Sequence, residues 1–188
     1  MDKTSGLISL AEWWERLPFA WQHALADNFD WVTPPTGRDL VQYLGVTELD
    51  LSGSAIQDLE PLLMFPCLEK LDLSHTKVSN LTPLYMLSNL QELHFTCNRE
   101  LDLMTLSKLL QLKVLDISYP LAKASGSLDV LENLPHLQEL YCNACDLSSV
   151  IPFMGMGQLK TLSLSFNPIP PAELHAMQEI FRDCQILF

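Results

Sequence analysis

From residue 46 to the C-terminus, apolar residues return on a fixed beat. The units read VTELDLSGSAIQDLEPLLMFPC, LEKLDLSHTKVSNLTPLYMLSN, LQELHFTCNRELDLMTLSKLLQ, LKVLDISYPLAKASGSLDVLENLPH, LQELYCNACDLSSVIPFMGMGQ and LKTLSLSFNPIPPAELHAMQEIF. They begin at Val46, Leu68, Leu90, Leu112, Leu137 and Leu159, with a spacing of 22 residues except for a fourth unit of 25. The fourth and sixth positions (Leu49 and Leu51, Leu71 and Leu73, Leu93 and Phe95, Leu115 and Ile117) share one face of a strand, so the residue between them faces the other way. A repeat of this length is one structural unit that cannot bury its own apolar face. The units therefore stack, and their strands line up as a parallel sheet about 4.8 Å apart. The ninth position holds Ser54, Thr76, Asn98, Cys145 and Asn167, small side chains that satisfy backbone groups where the chain turns inward. Later apolar residues (Ile56, Leu59 and Leu62; Val78, Leu81 and Leu84) close the core from the far side. Pro61 and Pro83 there predict short 3₁₀ or irregular turns rather than long helices.

A stack of this kind exposes apolar ends, and both flanks of the repeats carry suitable covers. Residues 1–45 contain all the tryptophans of the chain. Ser9 to Glu12 forms a capping-box pattern that predicts a helix from about residue 9. Pro18 breaks it, a second helix runs to about Asn28, and the WVTPPTG loop follows. A short helix from about Arg38 stops at Gly45. At the other end, Pro170 and Pro171 open a helix with Leu174, Met177 and Phe181 inward. A last strand, CQILF, places Cys184, Ile186 and Phe188 on one side. The expected division is a helical N-terminal cap over 1–45 and a six-unit solenoid over 46–188, its last unit carrying a C-terminal cap.

The opening L-x-x-L-x-L-x-x-N of each unit is the leucine-rich-repeat signature. The fuller L-x-x-L-D-L-S-x-T-x-V/I-x-x-L-x-P-L pattern resembles the 22-residue repeats of bacterial internalin-like proteins and of phosphatase-regulatory subunits. The ending DCQILF resembles the terminator of bacterial leucine-rich proteins. The tryptophan-rich start resembles the cap that precedes such repeats. This resemblance implies an α/β solenoid: a right-handed horseshoe with a parallel concave β-sheet, a 3₁₀ or irregular convex side and an α-helical N-terminal cap. It further implies a surface that binds another macromolecule on its concave face, without catalysis. Two departures stand out. The third unit has Glu100 where an apolar residue belongs, and the fourth has Pro120 at its ninth position, with LAKASGS bulging from the coil.

Charge narrows the choice of partner. With 23 acidic against 11 basic residues, the formal net charge is −12. That disfavours nucleic acid and an anionic membrane, and favours a protein with a basic surface. The N-terminus shows neither the apolar run nor the cleavage site of a signal peptide, and no apolar stretch reaches the length of a membrane span. Five cysteines without a framework spacing fit reduced thiols in the cytoplasm.

The register then lists the candidate residues. The concave column between the fourth and sixth positions reads Asp50, Asp72, His94, Asp116, Tyr141 and Ser163. The column before it includes Glu92, and the column after it runs from Ser52 to Ser165. Asp50, Asp72, Glu92, His94, Asp116 and Tyr141 are the expected partner-binding residues of the concave face, with Tyr119 and Phe166 on the rim. Aspartates beside a histidine suit a divalent cation, and His94 with Asp72 or Asp116 suits acid–base chemistry. Yet Asp in this column belongs to the repeat consensus, and neither a G-x-S-x-G, a phosphate-binding glycine loop nor an H-E-x-x-H occurs. The expectation is no catalytic site, no metal and no cofactor, with a regulatory subunit of an enzyme as the alternative and a metal-dependent hydrolase as a remote one. Cys142-Asn-Ala-Cys145 has the spacing of half a zinc site or a redox pair. Its register places both thiols in the core instead, with Tyr141 beside them facing solvent.

Overall fold

The computed structural model describes residues 10–30, 35, 43–99, 102–120 and 127–188. Ser9 of the capping box, Trp31 with most of its loop, the start of the Arg38–Gly45 helix, Glu100 with Leu101, and the bulge up to residue 126 lie outside the described residues. Seven three-residue strands form one parallel sheet in chain order. They are β1 (Glu48–Asp50), β2 (Lys70–Asp72), β3 (Glu92–His94), β4 (Val114–Asp116), β5 (Glu139–Tyr141), β6 (Thr161–Ser163) and β7 (Gln185–Leu187). The first six fall on the third to fifth positions of the repeat. Leu49, Leu71, Leu93, Leu115, Leu140, Leu162 and Ile186 align as Cα partners across all seven. Short strands linked by tight turns on one side and longer returns on the other make a leucine-rich-repeat solenoid, a horseshoe with the sheet as its inner face.

The returns are 3₁₀ turns at Glu60–Met64, Thr82–Met86, Leu128–Asn133 and Ile151–Phe153. Proline sits in the first positions of three of them, where its missing N–H costs nothing. The third unit differs. There Asp102 accepts from the Met104 N–H and from the Thr105 hydroxyl, and this cap lets a single α-helical turn form, α3 (Leu103–Leu106).

The core is one continuous cluster from Trp14 to Phe181. Two helices close its N-terminal end, α1 (Leu10–Arg16) and α2 (Phe19–Asn28), broken at Pro18 as the sequence predicts. Trp13 meets Phe65 of the first coil edge-on, with ring centroids 6.2 Å apart. Trp21 is fully buried, and its Nε1 donates to the Asp58 carbonyl at 3.0 Å. Asn28 does what a neighbouring strand would do. Its Oδ1 accepts from the Asp50 N–H at 2.9 Å while its Nδ2 donates to the Asp50 carbonyl, so one amide covers the open edge of β1. Removing that amide, as in Asn28→Ala, should cost about 1 kcal/mol, read from urea unfolding. At the other end α4 (Pro171–Ile180) turns Met177 inward, with Phe181 just beyond it also buried. Cys184 and Ile186 pack on the core, but Phe188 is 53% exposed, against the expectation that it faces inward. It lies one residue beyond Leu187, which pairs with Ser163 at the end of β7.

Candidate functional site: the concave sheet

Parallel pairing brings equivalent residues of successive units into rows. Asp50, Asp72, His94, Asp116, Tyr141 and Ser163 form one row across the sheet, as the register predicts. Glu48, Lys70, Glu92, Val114, Glu139 and Thr161 form the row beside it. The two rows are laced together. Lys70 Nζ lies 3.1 Å from Glu48 and 3.9 Å from Glu92. His94 Nε2 lies 2.9 Å from Glu92, and its Nδ1 lies 3.8 Å from Asp116. The Tyr141 hydroxyl donates to Glu139 Oε2 at 2.8 Å.

Each aspartate of the row also has a local task. Asp50, Asp72 and Asp116 accept through Oδ1 from the N–H two residues on, at Ser52, Ser74 and Ser118. Such turns end the strand and fix the carboxylate direction. The next column departs from its expected place on the surface. Ser74 and Ser118 are buried, and their hydroxyls accept from the N–H groups of Thr96 and Asn143 in the following coils. Asn143 accepts in turn from the Ser163 hydroxyl and the Ser165 N–H. This column ties coils together. The alternation of a strand ends at the turn, so the outward parity that holds for the first two columns fails for the third.

The electrostatics centre on His94. The Asp116 carboxylate, with Glu92 and Asp72, lifts its pKa from 6.5 to about 9, against the opposing effect of partial burial. At Asp116 burial pushes the carboxyl upward, but the bonds from His94 and Ser118 outweigh it, and the group sits below its ordinary range. The bond to Glu139, with partial burial and nearby carboxylates, pushes the Tyr141 hydroxyl up to about 12. At neutral pH the row therefore presents carboxylates around an imidazolium and a neutral phenol. Because the folded His94 pKa lies above its unfolded value, its contribution to stability is complete below pH 6.5 and disappears as pH rises through about 9. An NMR titration should place the His94 ring near 9, and His94→Gln should flatten the fall in stability over that window. A His94 midpoint near 6.5 would contradict the clamp.

Two residues were expected on the rim. Tyr119 is 45% and Phe166 80% exposed, both in the left-handed region with φ of 56° and 62°. Cys142 is fully buried, and burial raises its thiol pKa. Cys145 is partly buried and packs against the core, on the inward side where its register places it. Its Sγ lies 3.5 Å from the Ile117 carbonyl, the sixth position of the preceding coil. Asn98 and Asn167 donate to that same position through Leu73 and Cys142. A thiol thus stands in for an asparagine amide. Among the described residues no group of three or more His, Cys, Asp or Glu side chains is arranged to hold a metal ion. Lys70, Glu48 and Glu139 were visible in the sequence column but were not singled out as site residues. What they do depends on lateral pairing.

A family model described as leucine-rich repeats in two copies matches residues 45–86. No curated protein matches the sequence. Among solved structures, an internalin of Listeria monocytogenes is similar over 71% of this chain, with 26% identity and a TM-score of 0.56. A leucine-rich-repeat protein of Leptospira interrogans is similar over 80%, with 24% identity and a TM-score of 0.62. The chain spans 38% and 39% of the lengths of those two proteins. Internalin C2 of Listeria monocytogenes is similar over 90% of this chain and 92% of its own, with 19% identity and a TM-score of 0.59. With the 22-residue register and the seven-stranded sheet, these matches give the chain a leucine-rich-repeat fold similar to that of the internalins.

Proposed function

We propose that the chain is a non-enzymatic interaction module that holds a protein with a basic surface against its concave sheet. The observation that carries this reading is the carboxylate row itself. Asp50, Asp72 and Asp116 share one row of the sheet, Glu92 lies in the row beside it, and Tyr141 stands next to Asp116 as an aromatic anchor. Oriented charges accelerate encounter with a complementary surface, and a partly buried aromatic supplies contact area at small entropic cost. Tyr119 and Phe166 extend the surface along the rim. Residues 1–45 serve as the cap of the solenoid over 46–188, supported by the continuous core and by Asn28 on the edge of β1. No helix among the described residues is long and apolar enough to cross a membrane. Free cysteines, one of them in the core, support a reducing compartment such as the cytoplasm.

Catalysis by the Asp/His row is disfavoured by the state of His94. A protonated ring is a poor general base at neutral pH, and both its nitrogens face carboxylates. If the partner is itself an enzyme, the same contact makes the chain a regulatory subunit. A pull-down compares the wild type with a Tyr141→Ala/His94→Ala variant and with Met86→Ala on the convex side, where Met86 is 74% exposed. The double variant should retain its fold and weaken capture about tenfold or more. Capture unchanged by the double variant removes the concave-face reading, and an enzyme among the lost partners favours regulation.

A further inference from the structure

The eighth position of every coil is left-handed: Gly53, His75, Cys97, Tyr119, Ala144 and Phe166 have φ between 52° and 68°. This turn follows the strand by a few residues and carries the eighth and tenth positions to the rim. Across the first three coils it opens a groove of about 550 Å³, lined by residues that include Gln57, His75, Lys77, Ser79, Cys97 and Arg99. Lys77 and Arg99 occupy the same tenth position of successive units, so their backbones lie about one coil spacing apart, ~4.8 Å. Both are exposed, and among the described residues neither forms an ion pair. Among the described residues none of the lining is acidic. The concave sheet treats its one lysine differently, placing Lys70 between Glu48 and Glu92. On a chain with net charge −12, two neighbouring cations without an ion pair among the described residues are an exception.

We propose that this rim groove binds an anionic side chain, a carboxylate or a phosphoryl group, carried on an extended segment of a partner protein. The Arg99 guanidinium offers a planar fork that meets two oxygens at once. Lys77 adds a point charge, and the Ser79 hydroxyl and Gln57 amide supply further donors. The groove volume suits one such side chain with its flanking backbone. A short segment fits better than nucleic acid for an electrostatic reason. A continuous polyanion would lie against the acidic remainder of the molecule, whereas a single anionic group needs to satisfy only charges within about 8 Å. The inference stands apart from what the concave sheet binds.

The test titrates the isotope-labelled full chain at low salt with three peptides that share neutral flanks and carry glutamate, phosphoserine or serine at the centre. The expected result is saturable shifts at amides 75–79 and 97–99 with the two anionic peptides, and binding of the serine peptide weaker by about tenfold or more. Tighter binding of the phosphoserine peptide assigns the groove to phosphoryl groups, and equal or tighter binding of the glutamate peptide assigns it to carboxylates. Lys77→Arg/Arg99→Lys should keep binding, and Lys77→Glu/Arg99→Glu should abolish it with an unchanged melting curve. If the glutamate variant loses its fold, Lys77→Gln/Arg99→Gln gives the same reading. The proposal is overturned by shifts that map elsewhere, by equal binding of the serine peptide, by binding that survives charge reversal, or by preference for single-stranded RNA over both peptides.

Discussion

Replacing Trp21 by alanine should destabilise the chain by about 3–5 kcal/mol. Trp21 has no exposed surface, so truncation leaves a large cavity at the junction of α2 and the first coil. It also frees the Asp58 carbonyl that the indole now satisfies. The loss is uneven along the molecule. In a solenoid each coil leans on its neighbours, so removing a terminal support frays the nearest coil first. Hydrogen exchange should quicken at residues 49–73 before it quickens at 161–187, and urea unfolding should give the total. Trp21→Phe keeps most of the apolar volume and loses the indole bond, so it should cost about 1–2 kcal/mol. A loss below about 1 kcal/mol for the alanine variant would mean that the helices add little to the solenoid.

The second large effect lies in the turns between coils. Asn98 is 2% exposed; its Nδ2 donates to the Leu73 carbonyl, and its Oδ1 accepts from the Thr76 N–H and hydroxyl. Alanine there strands the Thr76 N–H, while the Leu73 carbonyl keeps the Thr76 hydroxyl at 2.8 Å. At about 1–3 kcal/mol for the buried N–H left unpaired and about 1 kcal/mol for the other lost bond, the cost should reach about 3 kcal/mol. Asn98→Asp should be no milder, since it keeps the acceptor, removes the donor and places a charge in a dry site. Asn167 repeats the arrangement, donating to Cys142 and Leu164 and accepting from Cys145 and Leu147, but it is less buried. Its truncation should be similar in size, because more bonds offset greater access to water. Denaturant melts of the two variants side by side check both numbers.

These residues show where sequence reading ended. The rows of the sheet were legible because a 22-residue period fixes which residue lies beside which. Asp72 and Asp116 flanking His94 follow from counting alone. The inward role of the ninth position was legible for the same reason, and Cys145 could be placed there, though not its bond to Ile117. The left-handed eighth position was not legible. Only Gly53 advertises it, while His75, Cys97, Tyr119, Ala144 and Phe166 adopt the same φ without a glycine to mark the turn. Burial of the serine column was also hidden, because strand alternation gives the wrong parity once the backbone leaves the strand. Asn28 on the edge of β1 joins residues 22 apart, and no local pattern links a helix C-terminus to a strand that distant. The Lys77–Arg99 groove was countable by register, but its significance rests on two cations without ion pairs among the described residues, which only the folded rim reveals.

The concave sheet, and not the convex side, is proposed to meet a protein partner. A photo-crosslinking amino acid placed in turn at Tyr141 and at Met86 tests this directly. The account predicts a covalent adduct with a protein from the Tyr141 position. That adduct should fade with added salt and vanish when Asp72 and Asp116 are changed to lysine, and none should form from Met86. An adduct from Met86 alone, or one at Tyr141 that survives the charge reversal, would contradict it.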